Sequence, residues 1–143
     1  MTNHFAANGS LKSSSFRLVT IDDGVPVKLA SKESAIATIS KVSKTIGGSL
    51  AWAPLGLSDM YNSGGSVLSC AVTGDDGHER CKVEIQALGP GRFAAYSSLK
   101  PTLCTIDSDS VLVDWDVDSG LLTFEIPSSP HKVDCERSLM LYF

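Results

Sequence analysis

Two aspartates flank a tryptophan at Asp114-Trp115-Asp116, the arrangement in this 143-residue chain that comes nearest to bond-breaking chemistry. Glycoside cleavage or transfer needs two carboxyl groups placed on either side of one bond. Residues two apart on a strand point to the same face, about 6.5–7 Å from each other, so the spacing alone permits such a pair. An aromatic ring between them could stack on a sugar. The competing reading is an outward-facing acidic pair at a hairpin end, with Trp115 packed into the core from the other face. A catalytic acid needs a pocket, and this pair sits beside the turn Asp118-Ser119-Gly120. The second reading is favoured, and no catalytic residue is expected.

Other chemistry is absent by pattern. Nucleophilic catalysis needs a Ser or Cys in reach of an oriented His. No Gly-x-Ser-x-Gly elbow occurs, and Gly64-Gly65-Ser66 lacks the strand-to-helix context that exposes such a serine. His78 stands between Gly77 and Glu79 in a turn and reads as a solvated surface residue. There is no Gly-x-Gly-x-x-Gly or Walker sequence, so no nucleotide cofactor is implied. Asp107-Ser108-Asp109-Ser110 lacks the glycine and the downstream glutamate of a calcium loop. Cys70, Cys81, Cys104 and Cys135 form no Cys-x-x-Cys pair and stand at no zinc spacing from His4, His78 or His131. No metal and no cofactor is expected.

Charge and hydropathy narrow the partners. Twelve basic against 16 acidic residues leave a net charge of −4. Without a cluster of Lys and Arg there is nothing to grip phosphates, which argues against nucleic acid. No run approaches the roughly 20 apolar residues of a membrane helix. The polar start, with Asn3, His4, Asn8, Ser10 and Lys12, has no apolar centre of a secretory signal. The expectation is a cytoplasmic chain with reduced thiols and an idle Asn8-Gly9-Ser10 sequon.

The elements that must position these residues read as strands. Phe16 to Thr20 is a strand closed by Asp22-Asp23-Gly24, and Val25, Val27 and Leu29 alternate over the next run. Ser66 to Val72 ends in Gly74-Asp75-Asp76-Gly77, a strong turn signal. Val83, Ile85 and Ala87 alternate with Lys82, Glu84 and Gln86; Gly89-Pro90-Gly91 turns the chain, and Phe93 and Ala95 alternate back, which reads as a hairpin. Val111–Trp115 and Leu121–Ile126 read as a second hairpin. A loop at Pro127 to Pro130 precedes a last strand, Ser138 to Phe143. About ten short strands in one domain imply an all-β fold, an antiparallel β-sandwich or barrel. Between Ser31 and Gly48 two readings compete. Ile36, Ile39, Val42 and Ile46 recur at helical spacing, which allows a short helix at 34–46; β-branched Ile36, Thr38 and Ile39 favour a strand at Ala35–Ser40. Residues 1–14 are polar and expected to be disordered, with the domain spanning 15–143.

Three ordered blocks carry a resemblance. Ala51-Trp52-Ala53-Pro54-Leu55-Gly56-Leu57-Ser58-Asp59-Met60-Tyr61-Asn62-Ser63-Gly64-Gly65 resembles the "FAPIGLxxMxNSGGA" signature of plant raffinose synthases and seed imbibition proteins. Gly91-Arg92-Phe93-Ala94-Ala95-Tyr96-Ser97-Ser98-Leu99-Lys100-Pro101 is similar to "GRFGAYSSxxP". Thr105-Ile106-Asp107-Ser108, followed by Asp118-Ser119-Gly120-Leu121-Leu122-Thr123-Phe124, is similar to "TVDS…DSGLLTL". Upstream, Ala37-Thr38-Ile39-Ser40 stands where that family has "FTVS", and Val25-Pro26-Val27-Lys28-Leu29 where it has "LPVSL". The resemblance covers about Phe16 to Phe143 and tips the Ser31–Gly48 segment towards strand.

That family belongs to glycoside hydrolase family 36 and includes galactinol–sucrose galactosyltransferases, alkaline α-galactosidases and stachyose synthases. The resemblance implies the C-terminal β-sandwich of such an enzyme, whose catalytic aspartates lie on a (β/α)₈ barrel. A barrel alone takes about 250 residues, so no catalytic role passes to Asp114 or Asp116. The implied function is an accessory C-terminal domain, or truncated form, of a galactosyltransferase or α-galactosidase of raffinose-family oligosaccharide metabolism. The barrel is the implied partner and α-galactosides the implied ligands, and the chain alone is expected to be inactive. The alternative is a stand-alone carbohydrate-binding or barrel-docking sandwich without activity. Candidates for stacking or docking are Trp52, Leu55, Met60, Tyr61 and Trp115. Two coplanar exposed rings would favour sugar binding; an apolar exposed patch around Leu55–Tyr61 would favour docking.

Overall fold

Alternation of side chains decides which strand faces enter the core. The computed structural model describes residues 3–10, 13–20, 28–32, 36–45, 47–75, 78–130 and 136–143; within these, side chains at 3–10, 13–15, 17, 19–20, 36–37, 75 and 78–79 are not described. One five-stranded antiparallel sheet contains β4 (Ser43–Lys44), β5 (Ala51–Leu57), β8 (Gly91–Ser97), β11 (Asp114–Trp115) and β12 (Leu121–Ile126), in the order β11-β12-β8-β5-β4. The second contains β6 (Val67–Asp75), β7 (His78–Leu88), β9 (Leu103–Ile106), β10 (Asp109–Ser110) and β13 (Glu136–Tyr142), in the order β10-β9-β13-β7-β6. A three-stranded sheet orders β2 (Ser13–Thr20), β1 (Asn3–Ser10) and β3 (Ile36–Lys41) as β2-β1-β3. Every described pairing is antiparallel.

The main core fills the space between the two five-stranded sheets, as in a sandwich. One sheet contributes Trp52, Leu57, Phe93, Ala95, Leu122, Phe124 and Ile126; the other contributes Val83, Ile85, Ala87, Ile106, Leu139 and Leu141. On β7 the buried residues Cys81, Val83, Ile85 and Ala87 alternate with half-buried Lys82, Glu84 and Gln86, the period of a strand with one core face. Phe93 and Phe124 stack with centroids 5.2 Å apart, and Trp52 meets Phe143 edge-on at 6.1 Å. The outer face of the first sheet carries a smaller cluster of Val42, Ala53, Leu55 and Ala94, flanked by Phe16, Tyr96 and Leu121.

The all-β sandwich expected from the sequence is present, with three local corrections. The helix allowed at 34–46 does not form: Ile36–Lys41 is strand β3 and Ser43–Lys44 is β4. The helical spacing marks no common face, because Val42 is buried while Ile39 is 61% exposed. Thr38 and Ile39 instead oppose Ala7 and Ala6 of β1. Residues 3–10, expected to be disordered, form the central strand of the small sheet. A polar segment can pair through its backbone alone, which composition does not register. The alternating segments around Gly89-Pro90-Gly91 are not a hairpin. β7 pairs with β6 and β13, whereas β8 pairs with β5 and β12, so the cis Gly89–Pro90 bond carries the chain from one sheet to the other. Both strands alternate because each lends one face to the same core from opposite sides.

The β11–β12 hairpin forms over less of the chain than expected: of Val111–Trp115 only Asp114 and Trp115 pair, opposite Thr123 and Leu122. The expected turn at Asp22-Asp23-Gly24 and the strand residues Val25–Val27 lie outside the described residues, and Lys28 and Leu29 are irregular. Cys70, Cys81 and Cys104 are free thiols, while Cys135 lies outside the described residues. Among the described residues no helix is long and apolar enough to cross a membrane.

Candidate functional site

The acidic pair of the sequence reading lies on the surface. Asp114 is exposed on β11, and Asp116 is exposed in the turn that follows. The Asp116 carboxylate accepts from the Ser119 hydroxyl and from the backbone N–H groups of Asp118 and Ser119, each backbone contact at 3.3 Å. The Ser119 hydroxyl first, and the Asp118 N–H next, hold its carboxyl below the usual aspartate range. Asp116 therefore closes the hairpin turn, as a short acceptor side chain does by bonding nearby backbone. Trp115 is half-buried against the core, and its indole Nε1 donates to the Ser97 carbonyl at 3.0 Å.

The longest signature block is a steric and hydrogen-bonded lock. After β5 bulges between Pro54 and Gly56, Gly56 takes φ +93°. A Cβ there would stand 1.8 Å from the Ser63 carbonyl oxygen, so only glycine lets the Ser63–Ser66 3₁₀ turn lie against the strand. Ser66, fully buried, donates to that carbonyl at 2.6 Å and accepts from Leu57 N at 2.8 Å. Asn62 caps the turn by accepting from Gly65 N, and the Ser63 hydroxyl bonds Thr38 of β3. The Asn-Ser-Gly-Gly-Ser run thus ties β5 to β3 and starts β6.

The third block is also structural. Asp107 and Ser108 take positive φ at the β9–β10 turn. The Asp107 carboxylate receives Arg137 Nη1 at 2.6 Å and Ser138 N at 3.1 Å, while Arg137 Nη2 donates to the Pro127 carbonyl at 2.6 Å. Arg137 is buried, and this pairing satisfies its guanidinium where the last strand crosses the end of β12.

The five stacking or docking candidates are scattered. Trp52 is 0% exposed in the main core. The Cys70 thiol lies beside it; burial pushes that thiol up, and contact with Trp52 offsets part of the rise. Leu55 is buried in the smaller cluster. Met60 and Tyr61 are exposed, 47% and 74%, on the loop after β5. Trp115 borders an open cleft.

That cleft, of about 340 Å³, lies where β2 meets the β11–β12 hairpin. Phe16, Leu18, Tyr96, Trp115 and Val117 form its apolar walls, and Ser98, Asp118 and Ser119 lie on its polar side. Phe16 and Tyr96 stack at 6.3 Å, and Gly120 lies so close to the Tyr96 ring that a Cβ would fall 2.4 Å from it. Sequence reasoning reached Trp115 but missed the others, because Phe16, Tyr96 and Asp118 sit on three elements far apart in the chain. The one signal was that Tyr96 and Gly120 both fall inside signature blocks. Among the described residues no group of three His, Cys, Asp or Glu side chains could hold a metal.

The family model described as raffinose synthase or seed imbibition protein Sip1 matches residues 7–126. The chain belongs to the raffinose synthase and seed imbibition protein family. It is 38% identical over 106 residues to a probable galactinol–sucrose galactosyltransferase of Arabidopsis thaliana, covering 74% of this chain and 14% of that protein. A galactinol–sucrose galactosyltransferase of Pisum sativum is 33% identical over 75% of the chain and 11% of its own length. The stachyose synthase of Pisum sativum is 34% identical over 60% of the chain and 9% of its own length. The chain thus spans about 14% or less of the length of these relatives. In this family member the three blocks singled out in the sequence fall on the Gly56–Ser66 lock, on β8 under the cleft, and on the Asp107 turn and the Asp118–Phe124 segment.

Proposed function

We propose that this chain is the accessory β-sandwich, or a truncated form, of a galactinol–sucrose galactosyltransferase or α-galactosidase of raffinose-family oligosaccharide metabolism. The observation that carries this reading is the small share of each relative that the chain matches, about a seventh at most, confined to a sandwich. The disposition of Asp114 and Asp116 supports it: one is exposed on a strand and the other is engaged in closing a turn. A retaining transfer needs two carboxyl groups about 5–5.5 Å apart across a bound sugar. In this reading the chain is cytoplasmic, its partner is a catalytic (β/α)₈ barrel, and exposed Met60 and Tyr61 are the side chains offered to it. Buried Trp52 weighs against the alternative of a flat stacking platform built from Trp52, Tyr61 and Trp115.

The test is a colorimetric α-galactoside assay together with incubation of the purified chain with galactinol and sucrose. No turnover is expected in either. Release or transfer of galactose by the purified chain overturns the reading.

A further inference from the structure

We propose that the cleft between β2 and the β11–β12 hairpin is a binding site for one pyranose unit of a neutral oligosaccharide. Its volume of about 340 Å³ lies at the lower end of small-ligand sites, which run from about 300 to 1,000 Å³. That size suits one ring rather than a chain.

The walls select the chemistry. A pyranose has an apolar face of C–H groups and a rim of hydroxyls, so it pairs with an aromatic wall bordered by acceptors and donors. Trp115 supplies the wall, and its bond to the Ser97 carbonyl fixes the indole before any ligand arrives. A pre-set ring reduces the ordering cost of binding. The Phe16–Tyr96 stack extends the apolar side.

On the polar side, Asp118 is exposed at the cleft and, as a carboxylate, offers only acceptors, which suits neighbouring sugar hydroxyls. Ser98 Oγ accepts from Ala51 N at 2.9 Å, which leaves its hydroxyl proton to donate. Ser119 is already engaged with Asp116 and holds the turn that presents Asp118. Among the described residues lining the cleft there is no Lys, Arg or His to act as counter-charge for a phosphate or carboxylate ligand. A small cation is the remaining rival, because an aromatic wall with one carboxylate can also hold an ammonium.

The experiment is a titration of the 143-residue chain with methyl α-galactopyranoside and with raffinose. It is followed by tryptophan fluorescence and by heat of binding, with tetramethylammonium titrated in parallel. Saturable sugar binding in the millimolar range is expected, the affinity reachable by a ligand of about a dozen heavy atoms. Asp118→Ala, at an exposed turn position, should weaken binding at least about tenfold while thermal unfolding stays unchanged. Trp115→Phe, which keeps an aromatic wall, should lose most of the fluorescence change while retaining heat of sugar binding. The proposal falls if neither sugar binds by about 100 mM, if Asp118→Ala binds sugar as tightly as the parent, or if only the cation binds. Any of these results leaves the accessory-domain reading untouched, since that reading requires no sugar site on the sandwich.

Discussion

Replacing Gly56 by alanine is a direct test of the idea that the longest signature block is a structural lock. Three costs add. The left-handed backbone at φ +93° disfavours any Cβ by about 1–2 kcal/mol. The new methyl would lie 1.8 Å from Ser63 O and 2.5 Å from Ser66 Oγ, so the 3₁₀ turn must move, an overpacking cost of about 1–3 kcal/mol. Moving Ser66 breaks its bond from Leu57 N and leaves a buried donor unpaired, for about 1–3 kcal/mol more. Relaxation makes the terms overlap, so we expect a loss of about 3–6 kcal/mol, against a typical total of about 5–15. Gly47 is a matched control: its φ is +88°, and an added Cβ meets no described atom within 4 Å. Gly47→Ala should cost only the backbone part, about 1 kcal/mol. Urea unfolding of both variants at constant m-value reads the difference. If Gly56→Ala unfolds within about 1 kcal/mol of Gly47→Ala, the lock does not hold the loop and the explanation of the signature fails.

Two further outcomes follow from buried groups. Arg137→Met should destabilise the fold by about 2–4 kcal/mol, below the usual cost of breaking a fully buried pair because Asp107 is a quarter exposed. Adding Asp107→Asn to Arg137→Met should recover part of that loss, and a chevron or urea series that shows simple additivity would exclude coupling between them. Burial pushes the Cys104 thiol up to about 12, so it stays neutral in the folded chain. A raised thiol stabilises the folded state below its unfolded value, and that contribution disappears as pH climbs towards the folded one. Iodoacetamide at about pH 8, mapped by mass spectrometry, should therefore label Cys70, an exposed residue whose thiol burial raises less, ahead of Cys104, with Cys104 reacting fully only on denaturation. Equal labelling of the two in the folded chain would contradict the burial.

Much of the architecture was legible because strand alternation is a local property. Cys81 to Ala87 and Leu139 to Leu141 show their core faces in the order of residues alone. The turn chemistry at Asp118-Ser119-Gly120 was readable for the same reason. The segment at Ile36–Lys41 was not settled by its own letters, since β-branching and helical spacing pointed opposite ways; pairing with β1 decided it.

What local order determined by itself was the class of fold and, through three spaced blocks, a resemblance to the family whose model matches residues 7–126. Only tertiary structure decided that the segments around Gly89-Pro90 belong to different sheets, because a period of two says which face is apolar and not which neighbour it meets. Tertiary structure also decided that Trp52 is buried while Trp115 borders a cleft with Phe16, Tyr96 and Asp118. Burial and cavities depend on which distant chain segments close over a side chain, and that information is spread over the whole pairing pattern rather than stored at any one position.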